Sequence, residues 1–261
     1  MKTTKIIGLF VQAVAVSSAR ADTLSDNFDG GISPALWTPY QMFWTPAGES
    51  DASGLWTISA PDAQGRLAIS KPADTGGLNY STGAGLHSVF TLDGDFRVSV
   101  AFALVSFPPP WRGYNESLLE VVTEGGDRFA SLQFGIGSNI MDYICAEGYS
   151  SIGDTPVGSM GSSSAFGHYE IRRDGNTMSA LFDDGSGLVL LGTLSDPGFA
   201  GPVHVNLYGA QIVNPTGYRP FTDLDVRFDG FSATADTVVL PEPATLSLLA
   251  LGGLVALRRR R

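Results

Sequence analysis

Apolar and polar residues alternate with a period of two along much of the chain between residues 22 and 240, and no apolar period of 3.6 residues is sustained there over three helical turns. Phe96, Val98, Val100, Phe102 and Leu104 fall on one face of a predicted strand, with Arg97, Ser99, Ala101 and Ala103 on the other. Ala130, Leu132, Phe134 and Ile136 repeat the pattern, as do Val203, Val205 and Leu207, and then Leu224, Val226 and Phe228. Each set offers one face to a core. Glu124-Gly125-Gly126-Asp127 separates residues 118–123 from 128–136, and Asp174-Gly175-Asn176 separates 169–173 from 177–183. Both supply glycine where a hairpin turn requires positive φ. Strands joined in this way, with no helices between them, predict an all-β, two-sheet antiparallel sandwich, because a sheet apolar on one face buries that face against another. Gly158 to Ser164, rich in glycine and serine, reads as a mobile loop.

The two ends read differently. Met1 to Ala21 has a basic start at Lys2 and Lys5, an apolar run from Ile6 to Val16 and an Ala19-Arg20-Ala21 cleavage pattern, which together predict a secretory signal peptide at 1–21. At the other end, Pro241-Glu242-Pro243 precedes an apolar run from Ala244 to Leu257 and the cluster Arg258, Arg259, Arg260 and Arg261. The run is shorter than the roughly 17 to 25 residues that span a bilayer core, and arginines hold their end in the cytoplasm. It therefore predicts a short hydrophobic helix that inserts transiently in the membrane. This order of elements resembles the PEP-CTERM sorting signal of bacteria. The resemblance implies an exosortase-type membrane protease as partner and delivery to the cell surface, outer envelope or extracellular matrix. Between the ends lie a sandwich domain at 22–235 and a linker at 236–240.

Charge and composition narrow the function. The whole chain carries a net charge of −10. Without its two ends it has 9 basic and 25 acidic residues, a net charge of −16. Such a surface repels nucleic acid and anionic membranes. Cys145 is the one cysteine, so the chain has no internal disulfide, and its apolar neighbours Ile144 and Ala146 give it the character of a buried small hydrophobe rather than a nucleophile. His87, His168 and His204 are dispersed without metal-ligand spacing. No Gly-x-Ser-x-Gly, phosphate loop or dinucleotide fingerprint occurs.

Asp26-Asn27-Phe28-Asp29 with Ile32 to Trp37, Tyr169 to Asn176, Asp183 to Gly187, and Val226 to Phe231 resemble, in that order, landmarks of concanavalin A-like lectin and glucanase domains. The resemblance implies a jelly roll whose last strand pairs beside its first; an immunoglobulin-like sandwich is the runner-up. It also implies a structural calcium ion at the junction of those strands, with Asp26, Asp29 and Asp229 as ligands. Glycoside hydrolases among such relatives carry closely spaced acids, which directs attention to Glu116, Glu120 and Glu124. Positions four apart on a strand are roughly 13 Å apart, whereas catalytic pairs need about 5 to 9.5 Å. Laminarinase-like relatives have E-x-D-x-x-E where this chain has Glu116-Ser117-Leu118-Leu119-Glu120. A cross-strand pair such as Glu120 with Asp142 is the other arrangement considered.

Aromatic residues suggest a binding surface instead. Phe107 to Asn115 contains three prolines that stiffen a loop carrying Trp111 and Tyr114. Arg112, Asn115 and Glu116 add the mixed polar groups of a carbohydrate-binding site, whereas Tyr40, Phe43, Trp44 and Trp56 read as core. The sequence thus predicts an exported, non-catalytic lectin-like module that binds polysaccharide or is embedded in it. The alternatives are a glycan-active hydrolase or lyase and a structural surface protein without ligand.

Overall fold

The computed structural model describes residues 22–45, 48–51, 55–73, 81–108, 113–136, 143–150, 153–162, 164–213 and 222–240. The signal peptide and the sorting tail lie outside these residues, as do Trp111, Arg112 and Asp142. Among the described residues no helix is long and apolar enough to cross a membrane.

The described chain forms sixteen strands: β1 (Asp22–Asp26), β2 (Trp37–Thr45), β3 (Gly48–Asp51), β4 (Thr57–Ser59), β5 (Leu67–Lys71), β6 (Ser81–Ser88), β7 (Thr91–Ser106), β8 (Gly113–Thr123), β9 (Arg128–Ile136), β10 (Tyr143–Ser150), β11 (Gly153–Gly161), β12 (Phe166–Asp174), β13 (Thr177–Asp183), β14 (Val189–Ser195), β15 (Val203–Val213) and β16 (Leu224–Val239). One antiparallel sheet runs β3-β2-β6-β15-β8-β9-β10-β11. The other runs β14-β13-β12-β7-β16. On its far side β16 pairs first with β5 and then with β1, changing partner around Gly230 at φ 56°. The jelly-roll expectation that the last strand lies beside the first is met at Asp26 opposite Phe231.

The core fills the space between the sheets. Val98, Val100 and Phe102 of β7 are buried against Leu119 and Val121 of β8 and Val203, Val205 and Leu207 of β15. The alternation at 96–104, 203–207 and 224–228 is therefore the core alternation. On β9 Phe129 is buried in the core, and the backbone at Ala130, Leu132 and Phe134 stands in register with Glu120, Leu118 and Glu116.

One end of the sandwich is closed by the acidic-aromatic motif. Asp26 Oδ1 accepts from Phe28 N at 2.8 Å and Oδ2 from Trp37 Nε1 at 2.9 Å. The Trp37 ring meets those of Phe231 at 4.9 Å and Phe90 at 5.5 Å. The buried indole gains its apolar burial without stranding its N–H.

The glycine- and serine-rich stretch at 158–164 is not simply a loop, since β11 continues through Gly161. Gly158 is needed because a Cβ there would lie 1.9 Å from Leu191 O, and a Cβ on Gly192 would lie 2.4 Å from Val157 O. These glycines let β11 and β14, at the edges of opposite sheets, approach one another.

Candidate functional site

Strand alternation that sends Leu119 and Val121 into the core turns Glu116, Leu118 and Glu120 to the outer face of the β8 sheet. Register assembles the surroundings. Glu120 stands opposite Asn206 on β15, which stands opposite His87 on β6; Leu118 stands opposite Tyr208, and Tyr208 opposite Gly85. On the other side, Ala130 of β9 links Glu120 to Glu147 of β10.

Gly85 makes the aromatic part possible. A Cβ there would lie 2.3 Å from Tyr208 Cβ, and over the bare backbone Tyr40 and Tyr208 meet edge to face at 6.4 Å. Both phenols are pushed well above the ordinary range by burial and then by the charge of Glu120, so they stay neutral donors.

The two carboxyls on β8 are not equivalent. Glu120 is buried and its Oε2 accepts from Asn206 Nδ2 at 2.7 Å. Burial raises its pKa, while the Asn206 amide and the Arg128 guanidinium oppose the shift. Glu116 is half-buried by exposed area, yet loss of water around its carboxyl, followed by the charges of Glu147 and Glu120, pushes it up to about 8 against the pull of Arg128. At neutral pH Glu116 therefore holds a proton.

The carbohydrate-binding set expected from the sequence is divided. Tyr114 is half-buried and aligned with the outer face, in register with Ile136. Asn115 is fully buried on the core side, where its Nδ2 donates to Pro108 O at 2.8 Å and its Oδ1 accepts from Gln211. It is thus a structural tie. Glu116 joins the acids. Glu124 is exposed in the β8–β9 turn. Trp56 is core, whereas Tyr40 is on the outer face.

The proposed calcium ligands do not converge into a cage. Both Asp26 oxygens receive N–H donors, Asp29 Oδ2 accepts from Asn27 Nδ2, and Asp229 Oδ1 accepts from Gly230 N. Among the described residues no three acidic, histidine or cysteine side chains are grouped to hold a metal ion. Cys145 is buried on the outer-face register, and burial followed by Glu147 raises its thiol, which suppresses the thiolate.

Asn206, His87, Tyr208 and Glu147 carried no local sequence signal, because register across five strands, β6, β15, β8, β9 and β10, brings them to the acids. The period-two placement of Glu116 and Glu120 was visible.

No protein-family model and no curated protein matches the sequence. Solved structures with similar folds include LamA from Zobellia galactanivorans in complex with laminaritriose and laminaritetraose, at TM-score 0.57 and 15% identity, covering 81% of this chain and 97% of that one. A glycoside hydrolase family 16 endo-glucanase from Bacteroides ovatus gives TM-score 0.55 and 10% identity, covering 83% and 99%. The alginate lyase from Klebsiella pneumoniae gives 0.53 and 8%, covering 83% and 99%. At these identities the likeness defines the fold, a concanavalin A-like jelly roll.

These findings correct the expectation of a non-catalytic lectin-like module. Structures sharing the fold are named as glycan-cleaving enzymes, and the outer face carries coupled acids beside a tyrosine pair. The objection from strand spacing is also weakened. Cα separation does not fix carboxyl separation, and the charge of Glu120 is close enough to raise Glu116.

Proposed function

We propose that the protein is a glycan-active hydrolase whose reacting groups are Glu116 and Glu120. The observation that carries this reading is the pair of acids on one face of β8 in different settings: the Glu120 carboxyl accepts the Asn206 N–H at 2.7 Å, whereas burial and neighbouring acids push Glu116 up to about 8. Neutral Glu116 is the proton donor to the departing glycosidic oxygen. Glu120, holding the Asn206 N–H, is the carboxylate that faces the positive charge developing at the anomeric carbon. Water completes the cleavage, leaving a hydroxyl on each fragment. Tyr40 and Tyr208 offer ring surface and O–H donors to a sugar.

Elimination, as in a lyase acting on uronates, is disfavoured by the negative charges of Glu120 and Glu147, which repel an anionic chain, with Arg128 opposing them. A neutral polysaccharide fits better. Digestion of laminarin, mixed-linkage glucan and alginate in ¹⁸O-water is the test. The expected products are glucan oligosaccharides carrying ¹⁸O at the new reducing end; unsaturated ends from alginate would contradict it.

Export belongs to the same proposal. Ala19-Arg20-Ala21 and the Pro241-Glu242-Pro243, apolar and arginine tail support secretion and exosortase-type processing to the cell surface or its matrix. Intact mass spectrometry of surface material is expected to find a form lacking 1–21 and the arginine cluster. Recovery of Arg261 in that form would overturn the sorting assignment.

A further inference from the structure

We propose, building on the hydrolase reading, that Asn206 is a positioning residue whose amide, oriented by His87, fixes the Glu120 carboxyl for its role. Leu118, between the two acids on β8, has no hydrogen-bonding group, so a partner for Glu120 must come from a neighbouring strand. β15 supplies it: Asn206 Nδ2 donates to Glu120 Oε2 at 2.7 Å, and Asn206 Oδ1 lies 2.7 Å from His87 Nδ1. The amide has one donor end and one acceptor end. An ionised carboxylate accepts only, so the NH₂ end faces Glu120 and the carbonyl end requires a proton on His87 Nδ1. A reversed amide would set its oxygen against the carboxylate.

His87 is itself held. Its ring lies 4.7 Å from that of His204 at 35°, and His204 Nδ1 is 3.0 Å from Ser88 O, a carbonyl that accepts its N–H. The path from Ser88 to Glu120 therefore runs by a hydrogen bond to His204, a ring contact to His87 and hydrogen bonds through the Asn206 amide, with His87–Asn206 and Asn206–Glu120 as cross-strand pairs of β6, β15 and β8. Among the described residues no hydrogen-bond donor reaches Glu116 in this way. The inequality of the two acids therefore has a geometric source as well as an electrostatic one.

Groups that act on the Glu120 side of the sheet are Glu116 from β8, Arg128 from β9, Glu147 from β10, Tyr208 and His204 from β15, His87 from β6 and Tyr40 from β2. The test leaves these in place. The Glu120 carboxyl is followed by ¹³C NMR pH titration in the full-length protein, with Glu120→Gln assigning the resonance, in Asn206→Ala, Asn206→Asp, His87→Ala and His87→Gln. Asn206→Ala is expected to raise the Glu120 midpoint by about one unit, and near-isosteric Asn206→Asp by more, because it replaces a donor with a charge. His87→Ala is expected to raise it less, and His87→Gln to restore it through its amide N–H. In turnover, Asn206→Ala is expected to lower kcat about ten- to a hundredfold with KM little changed. A folded Asn206→Ala and Asn206→Asp pair with unmoved midpoints would overturn the assignment. If the parent cleaves no glycan, the hydrolase reading fails while the titration still decides the hydrogen-bond role.

Discussion

Removing a carboxyl from water and setting two further acids near it forces Glu116 to keep a proton that the unfolded chain releases near 4.5. Its folded pKa is raised, so the native state binds more protons between pH 4.5 and about 8 and loses stability as pH rises through that window. Glu116→Gln, which needs no proton, is expected to stabilise the fold at pH 8 by about 2 to 4 kcal/mol after discounting for partial exposure, and by little at pH 4.5. Thermal melts at the two pH values check this; an equal gain at both would contradict it. Activity has the matching signature. It is expected to fall above about pH 8 as Glu116 ionises, and on the acid side as Glu120 takes up a proton.

The residues of the site differ in how legible they were. Glu116 and Glu120 share a face by alternation alone. Asn115, one residue away, reads in sequence as a ligand-binding amide, yet strand parity turns it inward to Pro108 and Gln211. Arg173 of the Ile171-Arg172-Arg173 stretch proves to be a buried staple, donating to Gly94 O at 2.6 Å and Phe199 O at 2.8 Å, with Phe96 4.7 Å beneath it. Motif and packing coincide there because one residue serves three backbone carbonyls, Gly201 O being the third.

Among elements, strands with one core face were readable because burial imposes a period of two, as at 96–104. β9 was ambiguous, since its apolar run of Ala130, Leu132 and Phe134 aligns with the outer-face acids and Phe129 enters the core. The Gly158 to Ser164 stretch misled for a different reason. Glycine serves both turns and close backbone approach, and a distant contact with β14 decides between them. Gly158→Ala is expected to cost about 1 to 3 kcal/mol, since the new methyl meets a backbone carbonyl rather than a flexible side chain. Urea titration measures it. Gly161→Ala, where nothing lies within 4 Å, is the control and is expected to change stability much less.

At the scale of the whole molecule, the two sheets divide the work. Their facing sides make one core, and the free face of the β8 sheet gathers acids and tyrosines from β2, β8, β10 and β15, with His87 from β6. The fold was legible because its landmarks are local: Asp26 with Trp37, the two glycine hairpins, and the closing strand at Val226 to Phe231. The function was not, because no sequence window contains Glu120, Asn206, His87 and Tyr208 together. The most direct measurement is release of reducing ends from laminarin and mixed-linkage glucan at neutral pH by the parent, Glu116→Gln and Glu120→Gln under identical conditions. Release by the parent, with a loss of about a hundredfold or more in each variant, is expected; no release from either glucan, or an undiminished rate in Glu120→Gln, would contradict the hydrolase account.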